Sequence, residues 1–275
     1  MAKTPADIVI SWYADGKEAQ AALTGLTRPY KLIGMPAGPG HSYIEQRKQL
    51  GETMIQAICA KYAPDIKPLR VALMGFSEGC AGVREAISSG DGPRIDAVLA
   101  IDGIHAMWTD KKSKAKIDTS GLVKWKAFAK SAIADGRLCC ITTSAIVPPY
   151  VSTTITSDWI WQQSTGSAEV TFDVPAPSAV WEDQVSPPYI VSADCRMDKV
   201  TGKKLYCWPE TAYYVPAVRL YRKKGGLVIW NYLNRDPSGI GDHRFQSARV
   251  TPLMINTYLL PRWNGTDPAS GITLV

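Results

Sequence analysis

The chain has 275 residues, 45% hydrophobic and 20% charged, and 31 Lys and Arg against 25 Asp and Glu give a formal net charge of +6. The length suits a single domain with an elaboration, and the composition excludes general disorder. No apolar run is long enough to span a bilayer, and the first residues lack the apolar core of a secretory signal, so a soluble, cytoplasmic protein is expected.

Residues 7–12, Asp-Ile-Val-Ile-Ser-Trp, read as a buried strand, and an Ala-rich helix is expected over 17–23. A second short strand over 31–35 runs into Pro36-Ala37-Gly38-Pro39-Gly40-His41. That loop is not a phosphate cradle, because its two prolines remove backbone N–H donors and no G-K-[ST] follows. Ser42 and Glu45 form a capping box that opens a helix to about Tyr62, with Leu50, Met54, Ile55, Ile58 and Cys59 on one face. Residues 69–74 are an apolar strand, followed by Gly75-Phe76-Ser77-Glu78-Gly79 and a helix-compatible segment to about residue 89.

Residues 95–101 form the next apolar strand and end at Asp102-Gly103-Ile104-His105. Lys111, Lys112, Lys114 and Lys116 follow as a solvated loop, and nucleic-acid binding is not expected from them. A helix then carries Leu122, Trp125, Ala129, Ala132 and Ile133 on one side, with Gly136 just past its end, and residues 138–143 are a further strand. Apolar strands alternating with helices predict an α/β fold with a mainly parallel, doubly wound sheet. The alternation breaks over residues 145–215, a Pro-, Ser-, Thr- and aromatic-rich insertion expected to consist of loops and short hairpins. It resumes with a strand over 227–233, a Gly/Asp-rich loop ending at Asp242-His243, and a helix expected from Thr251, with Pro252 in its first turn, to just before Pro261.

The six cysteines include no C-x-x-C pair, so neither a metal nor a redox motif is expected. Cys59, Cys80, Cys139 and Cys140 lie in apolar segments and read as small buried hydrophobes. Cys195 and Cys207 flank a hairpin-like turn and are expected to face each other, either as a disulfide or, in a reducing compartment, as two thiols.

The chemistry centres on residues 75–79. G-x-S-x-G between a strand and a helix is the setting of a nucleophile elbow, in which the flanking glycines let the chain turn tightly enough to lift Ser77 off the sheet. A serine hydroxyl needs a base, and the chain has three histidines, His41, His105 and His243. The order of strand, elbow, helix, further strands and a late loop histidine resembles the α/β-hydrolase superfamily. The pattern of Asp102-Gly103-Ile104-His105 and late Asp242-His243, with Ser152-Thr153-Thr154 between, resembles hydrolase-like proteins encoded by bacteriophages.

The resemblance implies a single domain over residues 1–275, with the insertion at 145–215 covering the active site. It also implies a Ser-His-Asp triad in which Ser77 is the nucleophile and His243 the base. The acid is expected at Asp102, which ends a strand, in preference to Asp158, the first carboxylate after the strand that usually carries it. Backbone N–H groups of Glu78 and Tyr13 are expected to form the oxyanion hole. Trp159, Trp161, Trp181 and Trp208 in the insertion are candidates either for substrate binding or for the insertion's own packing.

The expected activity is hydrolysis of a carboxylic ester, small or polymer-borne, without cofactor or metal. An amidase or thioesterase with the same site is the alternative. A hydrolase-fold structural component of an assembly such as a phage particle is a third reading, and with it comes a virion location.

Overall fold

A computed structural model describes residues 3–12, 17–36, 42–90, 95–144, 146, 148–167, 189–191, 194–197, 204–208, 211–213, 218–232, 243–244 and 246–266. Seven strands form one sheet. They are β1 (Thr4–Trp12), β2 (Tyr30–Gly34), β3 (Ile66–Phe76), β4 (Ile95–Ile101), β5 (Leu138–Thr143), β10 (Val218–Lys224) and β11 (Leu227–Tyr232), in the spatial order β10-β11-β5-β4-β3-β1-β2. All neighbours pair parallel except β10 with β11, a tight antiparallel hairpin at one edge. The chain is therefore an α/β protein with a mostly parallel sheet, as the alternation of apolar runs predicts.

The inner strands are buried on both faces because their side chains alternate between two cores. Ile8, Ile10, Leu73, Val98, Ala100, Cys139, Ile141 and Ile229 point to one. They meet α3 (Met54–Tyr62), α4 (Gly79–Ile87), α5 (Leu122–Ala134) and α6 (Thr153–Thr165) through Ile58, Val83, Trp125 and Ile160. Val9, Ala72, Met74, Leu99, Cys140 and Val228 point to the other. There they meet α1 (Lys17–Leu23) and the C-terminal helical stretch through Leu23, Met254, Tyr258 and Trp263. Burying one such aliphatic or aromatic side chain contributes about 1.5–3 kcal/mol, so these two layers dominate the stability of the fold. Cys59, Cys80, Cys139 and Cys140 are buried free thiols, as their apolar settings predict.

Four features differ from the sequence expectation. The helix expected to run unbroken to Tyr62 is two, α2 (Tyr43–Leu50) and α3, because Gly51 adopts φ 80 and stops the first. The insertion contains, besides loops and antiparallel strand pairs, a 13-residue helix, α6, that was not expected. Its Thr, Ile and Trp content suggests a strand, but Ser152 caps it by accepting a hydrogen bond from Ile155 N–H and Gly166 closes it in the left-handed conformation. Strand β10 falls where strands of the main sheet were not expected.

The last helix starts earlier and ends later than predicted. Gln246–Val250 and Ile255–Leu259 are π-helical, and the helix continues through Pro261 to Asn264. A proline ring collides with the carbonyl four residues back in a regular α-helix, and the wider π-turn before Pro261 relieves that collision.

Further along, β6 (Tyr189–Val191) pairs with β9 (Thr211–Tyr213), and β7 (Asp194–Met197) pairs with β8 (Lys204–Trp208), both antiparallel. Cys195 stands opposite Cys207 in the second pair, as the hairpin reading expects. Their side chains lie outside the described residues. No described helix is long and apolar enough to cross a membrane.

Candidate active site

Because β1, β3, β4 and β5 run parallel, their C-terminal ends share one edge of the sheet, where Trp12 lies opposite Gly75, Phe76 opposite Ile101, and Ile101 opposite Thr142. In open α/β sheets this edge is where ligand sites form. Ser77, Asp102 and His243 meet there.

Ser77 follows β3 directly and holds φ 53, a left-handed conformation that costs a non-glycine residue of order 1 kcal/mol or more. Two backbone bonds fix it: Ser77 N–H donates to Ile101 O at 3.0 Å, and Ser77 O accepts from Cys80 N–H at 3.0 Å. The turn is tight enough that its flanking residues must lack side chains. A Cβ on Gly75 would stand 2.8 Å from both Cys80 N and Val83 Cγ2, and one on Gly79 would stand 1.6 Å from Trp12 O. These contacts are with backbone or core atoms, so nothing soft can yield. Gly79→Ala is therefore expected to destabilise the protein by more than about 3 kcal/mol, read from the urea unfolding midpoint. An alanine variant as stable as the wild type would contradict this packing.

Asp102 follows β4 and is 1% exposed, also at a positive φ, 43. Its Oδ1 accepts from Ser144 N–H at 2.8 Å and from Thr153 Oγ1 at 2.6 Å, while Oδ2 lies 2.7 Å from His243 Nδ1. Burial pushes its pKa up, but the hydrogen bond and charge of His243 and the bonds from Ser144 and Thr153 outweigh it and hold the carboxyl below its ordinary value. It is a carboxylate and can only accept. His243 Nδ1 must then carry a proton, and in the neutral ring Nε2 is left as an acceptor.

His243 Nε2 lies 2.9 Å from Ser77 Oγ. The tautomer imposed by Asp102 is thus the one that can take the serine proton. Phe76, the residue just before Ser77, stacks on the imidazole with ring centres 4.5 Å apart and so limits its tilt. Gly103 completes the arrangement: a Cβ there would fall 2.0 Å from Ser77 O, so the turn after Asp102 packs directly on the elbow.

The other predicted residues are placed as follows. Asp158 sits on α6, with its side chain 42% exposed, and pairs with the buried Arg222, whose Nη2 lies 2.5 Å from its Oδ1. Arg222 also donates to Asn231 Oδ1 at 3.1 Å and lies over the Trp161 ring. Asp158 therefore tethers α6 to the β10–β11 edge, whereas Asp102 is the carboxylate that reaches His243. Glu78 is the first residue after the nucleophile, at the N-terminal boundary of α4. Tyr13 and Trp181 lie outside the described residues, as do His41 and the side chain of Trp208. Trp161 is 5% exposed and Trp159 partly buried, both packed in the main core.

A cavity of about 70 Å³ adjoins the site, with Asp102, His105, Ser144, Tyr150, Thr153 and His243 in its wall. Neither Trp159 nor Trp161 lines it. Burial pushes the His105 imidazole down from 6.5 to about 4, with the Asp102 charge opposing and the His243 charge reinforcing the shift. A histidine with a depressed pKa binds fewer protons folded than unfolded. Its contribution to stability is complete above pH 6.5 and is lost as pH falls through about 4, a loss of about 3 kcal/mol. Between pH 7.5 and pH 4 the wild type should therefore lose more stability than His105→Phe by about that amount, measured by urea unfolding. Equal losses in the two proteins would refute it.

Among the described residues, no group of three or more His, Cys, Asp or Glu is placed to hold a metal ion. Comparison with known protein families and with curated proteins finds no match.

Three features of the site are not read from the sequence. The donors to Asp102 are a backbone N–H and a threonine 51 positions away. The Phe76 stack depends on where the later loop returns. Gly103 alone carried a signal, as a glycine following a strand-terminal aspartate.

Proposed function

We propose that the protein is a serine hydrolase of the α/β-hydrolase type that cleaves carboxylic esters through an acyl-enzyme. One observation carries the reading: the unbroken chain from Ser77 Oγ to His243 Nε2 at 2.9 Å and from His243 Nδ1 to Asp102 Oδ2 at 2.7 Å, built on a strained elbow. A hydroxyl, an imidazole and a buried carboxylate in this order are the groups needed to activate a serine at neutral pH.

In the proposed reaction Ser77 Oγ attacks the ester carbonyl while its proton passes to His243 Nε2. Asp102 stabilises the resulting imidazolium. The tetrahedral oxyanion is held by the Glu78 backbone N–H, with the Tyr13 N–H as the second donor from the segment that follows β1. Collapse breaks the bond to the leaving oxygen, which takes the proton from His243 and departs as the alcohol. A water molecule then repeats the sequence on the acyl-serine, giving up its proton to His243, and releases the acid.

A purely structural role, as part of an assembly, leaves the strain at Ser77 and the buried Asp102 without a purpose. Thioesters and amides can in principle react at the same three groups, so they belong in the test. Hydrolysis of p-nitrophenyl esters from acetate to dodecanoate should be seen, together with slower turnover of the matching anilides. Absence of turnover on every ester, thioester and amide of the series would sink the proposal.

A further inference from the structure

We infer that Thr153, the first residue of α6, is a positioning residue of the proposed reaction, its hydroxyl holding the Asp102 carboxylate in the orientation that His243 needs. This rests on the serine-hydrolase reading above and gives the insertion a part in it, because α6 lies within the insertion.

The start of α6 is built from residues that suit a helix poorly. Residues 152–156 read Ser-Thr-Thr-Ile-Thr, and threonine has weak helix preference because its branched Cβ restricts χ1. The N-terminus needs a side-chain cap, and Ser152 supplies it by accepting from Ile155 N–H. Capping therefore accounts for Ser152 and leaves Thr153, Thr154 and Thr156 without a local reason.

Each of these three hydroxyls crosses to a strand end. Thr153 Oγ1 donates to Asp102 Oδ1 at 2.6 Å, Thr154 Oγ1 donates to Ser144 O at 3.1 Å, and Thr156 Oγ1 donates to Ile104 O at 2.6 Å. Just before the helix, Val151 N–H adds a bond to Ala106 O at 3.1 Å. The first turn of α6 is thus gripped between the segment after β4, which carries Asp102, and the residue after β5, which is Ser144. Thr153 is 6% exposed, so its hydroxyl meets the carboxylate with little competition from solvent.

The arrangement gives the two carboxylate oxygens different tasks. Oδ1 takes both fixed donors, Ser144 N–H at 2.8 Å and Thr153 Oγ1, and Oδ2 is left to face His243 Nδ1 at 2.7 Å. Two donors on one oxygen fix the plane of the carboxylate, whereas a single donor lets it swing about that bond. The two are also linked, since Ser144 gives its N–H to Asp102 and its carbonyl to Thr154. Without the Thr153 hydroxyl, Asp102 keeps its charge and loses one of the two bonds that aim Oδ2 at the imidazole.

The test measures p-nitrophenyl acetate kinetics, the rate of fluorophosphonate labelling and urea unfolding on wild type, Thr153→Val, Thr153→Ala, Thr153→Ser, Asp102→Asn and the Asp102→Asn/Thr153→Val double variant. Thr153→Val keeps the shape and removes the donor, so it should lower kcat by about ten- to a hundredfold, the scale of loss that a misplacement of about 1 Å produces, with KM within about twofold of wild type. Thr153→Ala should lose a similar amount, and Thr153→Ser, which keeps the hydroxyl, should regain most of it. In the Asp102→Asn background, Thr153→Val should cost less than about twofold in kcat and in labelling rate, because the carboxylate through which Thr153 acts is gone. Folded Thr153→Val and Thr153→Ala proteins with wild-type kcat, a Thr153→Ser protein no faster than Thr153→Ala, or the full loss repeated in the Asp102→Asn background would each overturn the positioning role and leave the hydrolase standing. Failure of both Thr153→Val and Thr153→Ala to fold would overturn it too, since the hydroxyl would then be holding the fold. A wild type that neither labels nor turns over the ester overturns the hydrolase reading itself.

Discussion

Ser77→Ala and His243→Ala are each expected to lower ester kcat by about four to six orders of magnitude, with KM little changed. Nucleophile and base act as one unit, so removing either costs nearly as much as removing both, and the double variant should be scarcely slower than the singles. Neither change should unfold the protein. Ser77 is bound to Ile101 and Cys80 through its backbone, and those bonds survive in alanine. The His243 side chain is 27% exposed and lies at the edge of the fold. A stable Ser77→Ala protein with undiminished turnover would remove Ser77 from the mechanism.

Asp102→Asn should cost about 10^4 in kcat, the loss that follows when the orienting carboxylate of a Ser-His-Asp site becomes an amide. The cause can be traced atom by atom. Ser144 N–H and Thr153 Oγ1 both donate to Oδ1, which fixes the amide oxygen there and turns the amide nitrogen toward His243. Nδ1 must then accept, Nε2 carries the proton, and the ring can no longer take one from Ser77. Asp158→Asn is the matched control: it weakens the pairing with Arg222 and should lower stability by about 1 kcal/mol while kcat stays within about threefold of wild type. If Asp158→Asn abolished turnover and Asp102→Asn left it intact, the acid would have to be reassigned.

The elbow is legible because it rests on a local rule, whereas His243 is singled out only by its place in the order of elements. Gly75 and Gly79 are required by contacts within a few residues or with the adjacent strand, and the run of apolar segments reports the parallel sheet. Asp102 was visible only as a carboxylate at a strand end. What separates it from Asp158 is the partner each finds across the fold, His243 for one and Arg222 for the other, at separations of 141 and 64 residues.

Helix α6 was missed for a different reason. Its β-branched and aromatic residues have weak intrinsic helix preference, and the helix is held by packing of Ile160 and Trp161 into the core and by its caps. Trp161, read from sequence as a candidate to line a site or pack the insertion, packs the main core and lies beneath the Arg222 guanidinium. The outer limits of the last helix were missed because π-turns around two prolines obey tertiary constraints and have no simple sequence period.

The most direct test is the site of covalent modification by a fluorophosphonate, followed by intact mass and peptide mapping. One adduct per chain is expected, on Ser77, absent from Ser77→Ala and formed at least about a hundredfold more slowly in His243→Ala. An unmodified wild-type protein, or an adduct that persists in Ser77→Ala, would contradict the assignment of Ser77 as an activated nucleophile.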